Sequence, residues 1–235
     1  MVSVCIATYN GEKYIKEQLL SIVNQLDSTD EIIISDDNST DKTVEIIKEL
    51  NDSRIKFFIN TSRGYTNNFQ NAIKQASGEF IFLSDQDDVW EENKVSRMTE
   101  LLQEYDFVVS NAKVVNESLV DLETTYFKIR GGGKNGFLNN LVKAKYLGCC
   151  MAFRKTILKK LLPFPLEVTL CPHDFWISLI AEFYYKTYVI DETLILYRRH
   201  GNNVSSGGVK SSTSLFFKVQ FRMYCFFKVL SRFGI

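Results

Sequence analysis

Cysteine is scarce and unpatterned in this chain. Cys5, Cys149, Cys150, Cys171 and Cys225 are the five in 235 residues. The adjacent Cys149 and Cys150 are too close for an ordinary mutual disulfide or a CxxC metal knuckle. A disulfide-stapled secreted scaffold is thereby excluded, and reduced thiols in a cytosolic protein are expected. No run reaches the roughly 20 apolar residues that a membrane span needs. Met1–Ala7 is too short an apolar run for a signal peptide and lacks the basic lead-in. Asn-x-Ser/Thr triplets such as Asn38-Ser39-Thr40 then count as chance matches. Internal repeats and low-complexity linkers are also missing, so one substantial core is expected rather than two independent domains.

Acidic residues stop at Glu192. Beyond it stand Arg198, Arg199, Lys210, Lys218, Arg222, Lys228 and Arg232, although the whole chain balances 28 basic against 28 acidic residues. This asymmetry points to an anionic surface as a partner of the C-terminal end. Composition is otherwise that of an ordinary globular protein, 45% apolar and 24% charged, which sets aside disorder and collagen-like repeats. No GxGxxG follows the first apolar run, and Gly131-Gly132-Gly133 lies in the wrong context for a dinucleotide fold. A phosphoaspartate receiver would carry its acid after the first strand, where this chain has Thr8-Tyr9-Asn10.

What is present is an alternation of short apolar runs and helical periods. Val2–Ala7, Glu31–Ser35, Ile55–Ile59 and Glu79–Ser84 read as strands. Between and after them Ile15/Leu19/Ile22, Val44/Ile47/Leu50, Phe69/Ala72/Ile73/Ala76 and Val95/Met98/Leu101/Leu102 recur at helical spacing. Phe107–Ser110 is a further strand, 116–145 is looser, Tyr146–Arg154 is ordered again, and a helix is expected from about His173 to Phe183. Near-continuous apolar strands joined by helices imply a mostly parallel sheet covered on both faces. Ligands of such sheets bind beyond the carboxyl ends of the strands.

The polar clusters fall at those ends. Asp85, Asp87 and Asp88 follow Phe80–Leu83, and acids so close repel unless a cation compensates them. Their hard oxygens suit magnesium or manganese; a solvated acidic turn capping the next helix is the plain alternative. Asp36-Asp37-Asn38-Ser39-Thr40-Asp41 occupies the matching place after another strand, where Ser39, Thr40 or Asp41 would also serve as an N-cap. Two clusters on one sheet edge favour a cation-plus-phosphate site.

Val2–Gly11, Ser35–Asp41 and Ser84–Trp90, in this order, resemble glycosyltransferase family 2. The Asp85-Gln86-Asp87-Asp88-Val89-Trp90 form resembles its bacterial rhamnosyltransferase-like branch, and the likeness covers roughly residues 2–205. The resemblance implies an α/β GT-A fold with a Rossmann-like, mostly parallel sheet. It also implies inverting transfer from a nucleotide-diphosphate sugar, dTDP-rhamnose or a UDP-hexose, to a hydroxyl of a growing cell-surface glycan. A sugar-binding member without turnover is the competing reading. By the same resemblance, Asp37 contacts the nucleotide base, Thr8, Tyr9, Asn10, Asp36, Asp85 and Gln86 bind the donor, and Asp87 is the direct ligand of Mn2+ or Mg2+.

The second half adds Pro172-His173-Asp174-Phe175-Trp176 at a helix start, where Asp174 would equally complement the helix N-terminus. The resemblance makes Asp174 the base that takes the acceptor hydroxyl's proton, with His173 orienting it. Tyr197-Arg198-Arg199-His200-Gly201-Asn202-Asn203-Val204-Ser205 is similar to a family signature in which the histidine completes the metal or diphosphate site. A lone histidine is otherwise usually structural. Arg198 or Arg199 would neutralise the departing diphosphate; the doubled arginine leaves open which one. Tyr146–Phe153 also resembles a family strand lining the sugar pocket, with Gly148 allowing close approach of substrate and a plain core strand as the alternative; the resemblance makes Asp88, Trp90, Gly148, Cys149, His173 and Trp176 the candidate sugar and acceptor pocket.

A catalytic domain over 1–210 and a basic amphipathic helix over 211–235 are expected. Lys218, Arg222, Lys228 and Arg232 share one stripe, and Leu215, Phe216, Val219, Met223, Phe226, Phe227, Leu230 and Phe233 gather in another arc. This is the pattern of an interfacial anchor on the inner face of a membrane, close to a lipid-linked saccharide acceptor. Packing on the catalytic domain or on a second copy in a homodimer is the alternative. No nucleic acid partner is expected.

Overall fold

The computed structural model describes residues 1–133, 136–201, 203 and 214–234. The expected boundary at 210/211, Lys210, and the Asn202, Val204 and Ser205 positions of the histidine segment lie outside them.

Four of the apolar runs pair as parallel strands: β1 (Val2–Thr8), β2 (Glu31–Asp36), β3 (Ile55–Ile59) and β4 (Phe80–Asp85). Every β2 residue is buried, whereas β3, at the sheet edge, is half exposed. That contrast follows from coverage on both faces for inner strands. The helices α1 (Ile15–Val23), α2 (Thr43–Glu49) and α3 (Tyr65–Gln75) connect them. They bury the stripes foreseen at 3.6-residue spacing, Ile15/Leu19/Ile22 on α1 and Phe69/Ala72/Ile73 on α3.

Beyond β4 come β5 (Val89–Trp90), α4 (Lys94–Leu101), β6 (Phe107–Asn116), β7 (Asp121–Thr125), α5 (Tyr126–Arg130) and α6 (Phe137–Val142). They are followed by β8 (Met151–Arg154), α7 (Leu158–Leu161), α8 (His173–Tyr184), β9 (Thr187–Arg199) and α9 (Leu215–Leu230). The sheet runs β3-β2-β1-β4-β8-β6-β9-β5, with β7 beside β6. Only β5, β7 and β8 run against the majority. The segment Tyr146–Phe153, which by resemblance would be one strand, is instead a 3-10 turn over Gly148–Cys150 followed by the short β8.

Two registers position the chemistry. Thr8 pairs with Asp36, and Ala7 pairs with Asp85. The ends of β1, β2 and β4 are therefore level to within one residue. The strand order also reverses at β1, with β2 on one side and β4 on the other, which is where open α/β sheets form their crevice. β9 is parallel to β6, so its end delivers Arg198, Arg199 and His200 to the same edge.

α9 is docked, not detached. Cys225 and Val229 are buried, the Tyr184 hydroxyl donates to the Val229 carbonyl at 2.7 Å, and Phe221 lies 5.0 Å from Phe175. Its other face is open: Leu215, Phe216, Val219, Met223 and Phe227 are all exposed. No helix among the described residues is long and apolar enough to cross a membrane.

Candidate active site

A cleft of about 1160 Å3 opens at this sheet edge. Thr8, Tyr9, Asn10, Asp37, Asp85, Gln86, Asp87, Gly148, His173, Asp174 and His200 all line it. Segments more than 190 residues apart in sequence meet here because their strands share one end.

The loops after β1 and β2 are stitched together. Asp36 is fully buried; its carboxylate accepts from Thr8 Oγ1 at 2.7 Å and from Ser39 N and Oγ at 2.7 and 2.6 Å. Asn10, in the left-handed region at φ 46°, accepts from Thr40 N at 2.8 Å. Asp36 thus shapes the loop and is not among the lining residues, whereas its neighbour Asp37 is. Asp37 is steadied by Asn60 Nδ2 at 2.9 Å and Gly64 N at 2.7 Å. Gln86 joins the loops after β1 and β4, because its amide accepts from Tyr9 N at 2.8 Å and donates to Tyr9 O at 2.9 Å.

At the centre, Asp87 Oδ2 lies 2.8 Å from His200 Nε2 and 3.1 Å from Asn203 Nδ2. Tyr14 stacks on His200 at 4.8 Å and donates its hydroxyl to Glu117 at 2.7 Å. Asp85 lines the cleft as well, whereas Asp88 is fully buried. Burial first, then Asp87 and Asp174, push the Asp85 carboxyl up to about 7. Burial, Asp87 and Asp85 raise Asp88 likewise. Lys94, fully buried, answers them from α4: its ammonium donates to the Cys149 carbonyl at 2.6 Å and sits 4.1 Å over the Trp90 ring. Burial lowers the Lys94 pKa to about 8.

Several expected pocket residues stand behind the wall. Asp88 is 0% exposed and accepts from the backbone N of Arg198. Trp90 donates its indole N–H to Ser84 Oγ, Trp176 donates its own to the Leu161 carbonyl, and Cys149 is wholly enclosed. None of the four is a lining residue. Arg198 also departs from expectation. It is 4% exposed, and its guanidinium bonds Glu17 and the carbonyls of Asp87 and Glu117. It braces the loop that carries Asp87. Arg199 donates to the Tyr197 hydroxyl at 3.1 Å and is not a lining residue either.

Asp174, also a lining residue, occupies the first turn of α8 and accepts from Phe175 N at 2.7 Å. His173 stacks on Phe69 at 4.2 Å, and burial lowers its pKa, so the ring is neutral near pH 7. A Cβ on Gly148 would stand 2.8 Å from His173 Nε2. The bare glycine makes room for the imidazole. Lining residues that the sequence did not mark for the site include Tyr65, Asn68, Phe69, Tyr126 and Arg130. Lys94 had a signal, since it shares the helical face of Met98 and Leu101 and so reads as a cation among core residues.

The model of glycosyl transferase family 2 matches residues 3–162. The chain is 30% identical over 214 residues to a dTDP-rhamnosyl transferase, RfbG, of Shigella flexneri, covering 84% of this chain and 72% of that one. It is also 30% identical to a GalNAc(5)-diNAcBac-PP-undecaprenol beta-1,3-glucosyltransferase of Campylobacter jejuni, over 84% of this chain and 64% of the relative. Among solved structures, residues 1–349 of TarS from S. aureus, in complex with UDP-GlcNAc, superpose with a TM-score of 0.70 at 21% identity. That match covers 98% of this chain and 72% of TarS 1–349. The mannosyltransferase PcManGT of Pyrobaculum calidifontis, in complex with GDP-Man and Mn2+, gives 0.65 at 18%, over 98% and 73%. The chain belongs to glycosyl transferase family 2, has the GT-A fold, and is an enzyme that transfers sugars from nucleotide sugars.

Proposed function

We propose that the chain is an inverting, divalent-metal-dependent transferase acting on a hydroxyl of a lipid-linked saccharide, with dTDP-rhamnose or a UDP-hexose as donor. The observation that supports this reading is that Asp174 and the Asp87–His200 pair line one cleft at the sheet switch point. The nucleotide lies over Thr8, Tyr9, Asn10 and Asp37, held in shape by the Asp36 and Gln86 bonds.

The chemistry of the donor set fits a small hard cation at Asp87 and His200. A carboxylate oxygen and an imidazole nitrogen meet at the cleft wall, leaving other positions to phosphate and water. Asp85, Asp88 and Cys149 also bring ligand atoms within 4.8 Å of one another. That cluster is deeper, and the Cys149 thiol is pushed up by its bond to Cys150 and by burial, so it is the poorer site. A bound Mn2+ or Mg2+ would supply positive charge to the leaving diphosphate.

Asp174 takes the acceptor proton as the hydroxyl oxygen attacks the anomeric carbon, and the bond to the diphosphate oxygen breaks. A single displacement inverts the centre. Asp174→Asn tests this, because an amide cannot accept the proton. Transfer should fall by at least about a hundredfold, while thermal stabilisation by nucleotide sugar with Mn2+ is kept. Loss of both together, or of neither, would give Asp174 a structural role. The open apolar face of α9, with exposed Lys218 and Lys228 beside it, supports residence on the inner face of a membrane, where such acceptors are found.

A further inference from the structure

Tyr14 lines the cleft beside Asp87 and His200 and is 9% exposed. Its ring stacks on the His200 imidazole, with centroids 4.8 Å apart and planes 28° from parallel. That separation is in the normal range for offset aromatic stacking. On the same imidazole, Nε2 meets Asp87 Oδ2 at 2.8 Å and Asn203 Nδ2 at 3.1 Å. The two rings come from opposite ends of the chain, Tyr14 from the start of α1 and His200 from the segment after β9.

Tyr14 is tied to three separate segments. Its backbone N donates to the Gly11 carbonyl at 3.0 Å, which fixes it at the head of α1. Its hydroxyl donates to Glu117 Oε1 at 2.7 Å, in the turn between β6 and β7. The Arg198 guanidinium stands 4.8 Å from its ring centre, and is itself bonded to Glu17 and to the carbonyls of Asp87 and Glu117. The phenol is thus a plate whose plane is set before any ligand arrives. An imidazole needs such a restraint, because the last torsion of histidine is broad and a turned ring would carry Nε2 away from Asp87. Metal-binding histidines are generally oriented by a neighbouring group, most often one bonded to the other ring nitrogen. A ring face restricts the same rotation. The electron-rich face of a phenol also favours an imidazole that is giving electron density to a cation.

We propose that Tyr14 is a positioning residue for the metal site: its ring fixes the plane of the His200 imidazole, so that Nε2 is presented to the cation beside Asp87. The inference rests on the reading of Asp87 and His200 as metal ligands, and adds to it the residue that holds one of them in place.

The test follows Mn2+ by electron paramagnetic resonance, titrated into the full chain saturated with whichever of UDP or dTDP stabilises it more. Tyr14→Leu, which removes the ring plane, should weaken Mn2+ binding by roughly tenfold or more. Tyr14→Phe keeps the ring and should stay closer to the wild type than to Tyr14→Leu. Nucleotide affinity in chelator should be unchanged in both, because the bond of Tyr14 to the donor loop runs through its backbone. His200→Ala should also weaken Mn2+, and Tyr14→Leu added to it should weaken Mn2+ no further, since Tyr14 acts through the imidazole. If Tyr14→Leu fails to fold, Tyr14→Met, which fills space without a ring plane, makes the same comparison. Wild-type Mn2+ affinity in the ringless variant, an equal loss of nucleotide affinity, or a full further loss in the double variant would overturn the proposal. Wild-type Mn2+ affinity in His200→Ala would remove His200 from the metal site and overturn both readings.

Discussion

Gly11 is the residue whose substitution tests most directly how the donor loop is built. Its backbone begins α1, with Tyr14 N and Ile15 N both donating to the Gly11 carbonyl at 3.0 Å. Its φ needs no glycine, but its space does. A Cβ there would stand 2.4 Å from Gln86 Oε1 and 2.6 Å from Gln86 Cδ. In Gly11→Ala the flexible Gln86 amide must swing away, and both bonds to Tyr9 go with it. At about 0.5–1.5 kcal/mol net for each, the loss is about 1–3 kcal/mol. For a chain of this size that lowers Tm by roughly 2–12 °C. It also frees Tyr9 at the cleft, so donor KM should rise. The structure further predicts that the effect runs through Gln86. Gln86→Ala should cost about as much as Gly11→Ala, and the double variant no more than either alone. Calorimetric Tm values and donor KM for the four proteins decide it. Wild-type behaviour of Gly11→Ala, or a double variant showing the sum of the two losses, would refute the reasoning.

Asp87→Ala should abolish turnover and the thermal stabilisation that Mn2+ gives in the presence of nucleotide, with little change in the Tm of the chelated protein; full activity in chelator would count against Asp87 as the metal ligand. Glu31 yields a pH dependence. Burial raises its pKa, but Lys56 at 2.6 Å and the hydroxyls of Ser3 and Ser77 prevail and hold it at about 2. The unfolded value is about 4.3, so the stability Glu31 contributes is complete above that value and lost as pH falls toward 2. Glu31→Gln should flatten the acid side of a Tm-against-pH curve, and an unchanged slope would show that another group sets it. Vesicles containing phosphatidylglycerol should bind the intact chain in a salt-sensitive way and leave a chain ending at Ser211 in the supernatant. Equal binding by both would move the contact elsewhere, and binding by neither would turn the open face of α9 toward a second copy or another segment.

Much of the architecture is local in origin and was therefore legible. Ile55–Ile59 appears as a strand with the bounds its apolar run gave, and the α1 and α3 stripes bury the residues their spacing named. The order of the three motifs identified the family because each is a contiguous string at the end of a strand. Less was legible after residue 116. β7, α5 and α6 lie in the region that read as loose; all three are short, and α6 is held by α8 and α9, which are distant in sequence. The 3-10 turn at Gly148–Cys150 was hidden in an apolar run that has the composition of a strand.

Within the motifs the sequence alone determined which residues arrive at the sheet edge, and tertiary structure alone decided which of them face the cleft. Asp85, Gln86, Asp87 and Asp88 are consecutive, yet the first three line the cleft and Asp88 is enclosed against the backbone of Arg198. Asp36 and Asp37 divide in the same way, one bonded to Thr8 and Ser39 and the other at the opening. Arg198 is turned inward by Glu17 and two carbonyls that no local pattern foretells. Composition and spacing fix chemistry and approximate place, because they act through the few residues of one strand or helix. Facing is set when β5 and β9 return beside distant strands and every buried polar group must find a partner.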